Sequence, residues 1–253
     1  MGREANHPVR TTEKSLAVVE HLDEADGARI RDLEGELDMT KGAIHNHLST
    51  LREHGYVRKD GEKYRLSFEF LTLGGRVRSR TPLYEFGREK ADQLAADTDM
   101  LTNLMTEEDG RGVYLYQARG DYAVNLDTHV GYRIPLHNIA IGKAILAYLP
   151  DERVEEIVDR WGLPAATENT ITDREALFAE LETVRERGYA TEHGERTESL
   201  ACIGAPVRVD GDLLGAISIS APTHRLGTDG FDEEIISEVQ STANELALDI
   251  KYK

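Results

Sequence analysis

With 253 residues, 40% of them apolar and 30% charged, the chain is long enough for two domains with separate cores, and no run approaches the roughly 20 apolar residues of a membrane helix. A single cysteine, Cys202, excludes a disulfide framework and a Cys-rich zinc site, and Met1–Arg10 lacks the apolar core of a secretion signal; a cytoplasmic protein with no metal and no cofactor is expected. The net charge of -17 speaks against nucleic-acid binding until the chain is divided: residues 1–80 carry 14 Lys+Arg and 14 Asp+Glu, and the whole acid excess falls beyond them.

Three short amphipathic helices are predicted first. One covers about Thr12–Asp23, with Leu16, Val19 and Leu22 on one face, and Gly27 stops it. The second covers about Ile30–Leu37, with Ile30, Leu33 and Leu37 at helical spacing. The third follows Thr40, an N-cap residue, and runs to about His54, with Ile44, Leu48 and Leu51 as its buried stripe and Gly55 as a left-handed stop. Lys41, Gly42, His45, Asn46 and Ser49 fall off that stripe, where polar groups can meet base edges and phosphates. Next, Tyr56–Leu66 alternates around Asp60-Gly61, a hairpin signal, and carries Arg58, Lys59, Lys63 and Arg65. Three helices and a basic hairpin make a winged helix-turn-helix. Its expected DNA contacts are Thr40, Lys41, Gly42, His45, Asn46, Lys59, Lys63 and Arg65. A three-helix bundle of other purpose, or a winged helix that recruits protein, gives the same periodicity.

Phe68 to about Leu94 reads mainly as helix, broken near Gly74-Gly75 and Thr81-Pro82. Arg76, Arg78 and Arg80 there either touch DNA or solvate a linker. Strands are then predicted at about Leu101–Met105, Gly112–Gln117 and Ala123–Leu126, and helices at about Asn138–Leu149, Asp151–Arg160 and Asp173–Gly188. Strands at Cys202–Val209 and Leu213–Ser220 flank a turn at Asp210-Gly211, and a last helix covers Phe231–Lys251, with Ile235, Val239, Ala243 and Leu246 along one stripe. An α+β sheet covered by helices is expected. Lys143 interrupts the apolar run of Ile139–Leu149. Ser218 and Ser220, two apart on a strand, face one side. Gly142-Lys143 lacks the rest of a phosphate loop, and no G-x-S-x-G elbow occurs, so no enzyme is expected. His129, His137, His193 and His224 have no metal-ligand spacing. Only 8 of the 30 basic residues are lysine, a pattern associated with high-salt cytoplasm.

Several stretches carry a family resemblance. Lys14–Val19, Thr40–Leu48 and Leu51–Val57 in the first part, and Arg133–Ala147, Thr170–Asp173, Arg185–Ala190, Cys202–Val207 and Ala216–Pro222 in the second, resemble the IclR family of transcription regulators over nearly the whole chain. Members usually carry Pro-Lys-Ser-Thr at the start of the third helix and an Arg near position 46. This chain has Thr40-Lys41-Gly42-Ala43 and Asn46, a departure that bears on operator sequence and not on fold.

The resemblance implies a DNA-binding domain over residues 1–70, a linker helix over 71–94 and a GAF-like effector-binding domain over 95–253. It also implies an effector site drawing on Ala140, Ile141, Glu192, Cys202, Ser218 and Ser220. Free backbone amides at the start of the helix at 138–149 would favour a ligand carboxylate. The implied partners are double-stranded DNA at a pseudo-palindromic operator, a small-molecule effector (a sugar, a sugar acid or another small carboxylate) and further copies of the chain, as a homodimer or tetramer.

Overall fold

The structure is a computed structural model that describes residues 6–226 and 230–253; of the N-terminal stretch without a signal core, residues 1–5 lie outside the described residues. The chain divides into two compact units between Val77 and Arg78.

In the first unit, α1 (Arg10–Glu24), α2 (Ile30–Glu36) and α3 (Lys41–Glu53) precede the hairpin of β1 (Val57–Asp60) and β2 (Lys63–Leu66). Val18, Leu22, Leu33, Ile44, Leu48, Val57 and Tyr64 form its core. The expected stripe of α1 is thus rotated: Leu16 is 56% exposed and Val18 takes its place inside. Leu22 of the expected stripe is buried and Val19 half-buried, so the face is turned toward Val18 and away from Leu16 rather than reversed. The Thr40 side chain accepts a hydrogen bond from the Ala43 N–H, which fixes the start of α3. Asp60 pairs with Lys63, so the hairpin loop is Gly61-Glu62 rather than Asp60-Gly61, with Gly61 at φ +60 as a type II′ turn needs at its first central position. Beyond it, α4 (Glu69–Ser79) runs through Gly74-Gly75 without the expected break. The helical ladder there loses propensity, not a hydrogen-bond donor, so it survives.

In the second unit, α5 (Pro82–Thr98) takes the latter part of the expected linker and buries Leu83, Ala91 and Leu94 in this unit's core. A six-stranded sheet follows, formed by β3 (Leu101–Glu108), β4 (Arg111–Arg119), β5 (Arg133–Ile134), β6 (Ala190–His193), β7 (Leu200–Val209) and β8 (Asp212–Pro222), in the order β5-β4-β3-β8-β7-β6. Every pairing is antiparallel. The strand expected at Ala123–Leu126 is absent; those residues belong to an irregular segment between β4 and β5. Its apolar pair Val124 and Leu126 packs on Ala140, Leu200 and Cys202, so the pattern records side-chain burial without a ladder.

Alternation divides the sheet by face. Leu104, Ala201, Ile203, Ala205, Ile217 and Ile219 pack on α5 and α9 (Glu233–Tyr252), whose Val239, Ala243 and Leu246 are the predicted stripe. Met105 and Ala216 point the other way, toward α6 (Ala140–Leu146), α7 (Asp151–Trp161) and α8 (Arg174–Arg187). Helices on both faces of an antiparallel sheet give the expected α+β class.

Candidate functional site

The polar residues of the α6 side of the sheet are set in rows by strand register. Opposed residues of an antiparallel pair share a face, and Glu192 opposes Cys202, which opposes Ser220. Two residues along, Asn103 opposes Ser218, which opposes Gly204. Gly204 explains why a helix can begin here: a Cβ on it would lie 2.9 Å from the Ile141 backbone N and Cα. Only the bare backbone lets the start of α6 rest on the sheet.

Between these rows and α6 lies a pocket with a cavity volume of about 20 Å³. The six residues assigned to an effector site, Ala140, Ile141, Glu192, Cys202, Ser218 and Ser220, all line it. Asn103, Tyr114, Leu126 and Arg196 line it too and were not anticipated. Asn103 was legible only as a polar residue inside an apolar strand; its place beside Ser218 needs the register. The Cys202 thiol donates to Ser220 Oγ at 3.2 Å. Burial and the charge of Glu192 push the thiol up, so it stays protonated and weakly nucleophilic. Glu192, 2% exposed, accepts the Glu195 N–H at 2.9 Å. Asn103 Oδ1 accepts from Gln117 Nε2 at 3.0 Å, leaving its amide N–H groups for another partner.

The lysine that interrupts the apolar run is among the most deeply buried side chains of the chain. Lys143 is 1% exposed; its Nζ donates to Glu195 Oε1 at 2.6 Å and lies 3.5 Å from Glu180, which pairs with Arg187 at 3.1 Å. This pair ties α6 to the loop that follows β6 and carries Arg196. Glu192 and Glu195 are both buried.

Burial raises the Glu192 carboxyl above its ordinary value of 4.5, outweighing the hydrogen bonds from Cys202 and Glu195. The folded unit therefore binds this proton more tightly than the unfolded chain does. The associated stability is present at low pH and is lost as pH rises through the folded value. Glu192→Gln, neutral at every pH, should raise the melting temperature at pH 7.5, and the gain should fade as pH drops toward 4.5. A gain that is the same at both ends would show that the carboxyl is not the titrating group.

In the first unit, Thr40, Lys41, Gly42, His45, Asn46 and Ser49 are all exposed on α3. Gly42 has open space where a Cβ would lie. His47, which faces α1, is instead hydrogen-bonded through Nδ1 to Ser15 Oγ at 2.8 Å. On the hairpin Lys59 is exposed and Lys63 half-buried. Arg65 stands apart from the other expected DNA contacts. Its guanidinium bonds Asp26 Oδ1 at 2.6 Å and lies 3.4 Å from Asp60, so it holds the hairpin to the α1–α2 turn.

An open cleft of about 470 Å³ between α5 and α9 is larger than the pocket, but it is lined by Glu85, Glu89, Asp97, Glu238, Glu245 and Asp249 and holds none of the expected site residues. No three His, Cys, Asp or Glu side chains converge among the described residues, and none of their helices is long and apolar enough to cross a membrane.

Comparison with known proteins gives a consistent result. Residues 11–61 match the description "IclR helix-turn-helix domain" and residues 76–248 match "Bacterial transcriptional regulator IclR C-terminal". A probable HTH-type transcriptional regulator, ArcR of Halobacterium salinarum, is 36% identical over 235 residues, which cover 91% of this chain and 89% of that one. The crystal structure of Thermotoga maritima IclR superposes with a TM-score of 0.82 at 23% identity, covering 96% of this chain and 99% of that one. An IclR homolog from Microbacterium hydrocarbonoxydans, complexed with 4-hydroxybenzoate, gives 0.79 at 22%, covering 93% and 98%.

Proposed function

The chain belongs to the IclR family of transcription regulators, and from that premise we propose that it binds a two-fold operator through α3 and the β1–β2 hairpin and changes its operator affinity when a small hydroxylated carboxylate enters the pocket between α6 and the sheet. The observation that carries this reading is the convergence of Glu192, Cys202, Ser218 and Ser220 with the start of α6 on one buried cavity. Such a lining, mostly apolar with a few convergent polar groups, suits a small ligand. The hydroxyls and the Asn103 amide suit ligand oxygens, and the neighbour crystallised with 4-hydroxybenzoate carries a ligand of that class. A buried thiol held in its protonated form supports binding rather than turnover.

We place the DNA-binding domain at about residues 1–70, a linker from 71 to the start of α5, and α5 with the effector domain beyond it, in a cytoplasmic homodimer or tetramer, since identical heads read a palindrome as a symmetric pair. The acid excess and arginine preference fit a high-salt cytoplasm, and the 36%-identical relative comes from Halobacterium. Fluorescence anisotropy of a labelled operator, with and without candidate acids, tests the reading. Operator affinity that no pocket ligand alters would overturn it.

Base reading and phosphate holding separate by mutation. Asn46→Ala should cost about 1–3 kcal/mol at one base pair and relax preference there. Lys59→Ala should weaken all sequences alike and lower the slope of log affinity against log salt by about 1. If Asn46→Ala changes neither affinity nor preference, α3 is not the reading helix.

A further inference from the structure

The pocket is closed by the chain itself. Between β4 and β5 the backbone runs without regular structure from 120 to 132, and Leu126 from this segment lines the pocket while packing with Ala140, Leu200 and Cys202. The next residue, Asp127, accepts a hydrogen bond at 2.8 Å from Arg196 Nη2. Arg196 is the cation among the described lining residues, and its side chain is only 16% exposed, against 80% for Asp127. Its charge reaches the interior: it works against the burial that raises Tyr114 and Cys202.

The free volume of about 20 Å³ holds about one water molecule, whereas small-molecule pockets run to several hundred. A ligand therefore cannot enter with the whole lining in place, and Leu126, on the segment without regular structure, is a lining residue held by no helix or strand ladder that can withdraw with its backbone. Withdrawing Leu126 must also move its neighbour Asp127, and that releases Arg196. The pair being released is solvent-screened on the Asp127 side and so weakly held, most of all at high salt, where the screening length is about 3 Å at 1 M. A guanidinium left half-buried at the mouth of an opened pocket needs a new anion, and a carboxylate matches its fork of donors.

We propose that Leu126-Asp127 is an internal stand-in for the ligand, an apolar group in the cavity with a carboxylate on its arginine, and that Arg196 is the residue that makes the pocket select carboxylates over neutral molecules of the same shape. This rests on the pocket assignment above and adds to it a receptor for the charge. The ligand's carboxylate exchanges with Asp127 on Arg196, its body replaces Leu126, and the serines, Asn103 and Glu192 meet its hydroxyls. Displacement of the 120–132 segment is then a direct consequence of binding, available to be passed to the rest of the protein.

The test uses the full chain, its Asp127→Ala and Arg196→Met variants, and a fixed set of probes: benzoate, 4-hydroxybenzoate, hexanoate and gluconate, each beside its primary amide, titrated by calorimetry in low salt. At least one acid should bind Asp127→Ala three- to tenfold more tightly than the parent, because its competitor is gone, and should bind Arg196→Met about tenfold or more weakly. The matching amide, which must break the same pair to enter, should share the gain in Asp127→Ala but should lose nothing in Arg196→Met. No gain for the acid in Asp127→Ala would mean that Asp127 does not compete for the site, and full acid affinity in Arg196→Met, or an equal loss there for the amide, would mean that Arg196 does not select the charge. Either result overturns the proposal, as does failure of every acid to bind Asp127→Ala. A Ser218→Ala/Ser220→Ala protein separates the two levels. Acid affinity lost there but unchanged in the Arg196 and Asp127 variants sinks only the exchange; affinity unchanged in all three sinks the pocket itself.

Discussion

Lys143→Met should destabilise the effector domain by about 3–5 kcal/mol, the cost of leaving a buried carboxylate without its partner. The lysine is 1% exposed and its Nζ sits 2.6 Å from Glu195 Oε1. Methionine fills a similar volume but leaves that oxygen beside the Glu180 carboxylate with no cation between them, and Oε2 already lacks a partner. For a domain of this size the melting temperature should fall by roughly 2–4 °C per kcal/mol. The loss also has a pH signature. Burial already raises Glu195, and Lys143 is the largest influence opposing it. Without the lysine the carboxyl rises further, so the variant's deficit is largest at neutral pH and shrinks as the medium acidifies and the group takes up its proton. The Lys143→Met/Glu195→Gln double variant should recover part of the loss, since an amide tolerates burial better than a lone charge. Thermal melts of the four proteins at pH 5 and pH 7.5 measure the cycle. A loss under about 1 kcal/mol, or one that does not depend on pH, would mean that the pair is not held in the interior.

Lys143 also shows where sequence reading stops. A lysine inside an apolar run looks like an interruption on a solvated face, because burial of a charge is decided by a partner 52 residues away. The same holds for Asn103, whose neighbour Ser218 comes from β8, and for Arg196, which lies in a polar loop that gives no sign of turning inward. Local chemistry was legible at the Thr40 cap, the Gly55 stop and the Asp210-Gly211 turn, where both residues take positive φ, but not at the hairpin loop or at Gly74-Gly75. Periodicity gave the α9 stripe correctly over about three turns but misplaced part of the α1 stripe, where Leu16 is exposed. Burial without a ladder was read as a strand at Ala123–Leu126. The six candidate pocket residues came from resemblance, and for Ser218 and Ser220 also from the two-residue strand repeat. The closing segment came from neither.

Ligand affinity should fall ten- to a hundredfold when Ser218 and Ser220 are both replaced by alanine, while operator binding without ligand stays intact. The two hydroxyls lie on one face of β8, buried at 2% and 4%, and both line the pocket. Each neutral hydrogen bond contributes about 0.5–1.5 kcal/mol, so two lost together account for that range. Neither serine carries the fold: Ser218 sits opposite Gly204, and Ser220 accepts only the weak Cys202 thiol bond among the described contacts. Alanine keeps the backbone ladder and removes one oxygen from each site. Because the ligand acts only through its different affinity for operator-competent and incompetent states, weaker binding shifts the response to higher concentration without changing its size. Calorimetry on residues 78–253 would read the affinity directly, and anisotropy of a labelled operator would read the response. Unchanged affinity would place the ligand elsewhere. Lost operator binding in the absence of ligand would show that the serines support the regulator's architecture rather than its ligand.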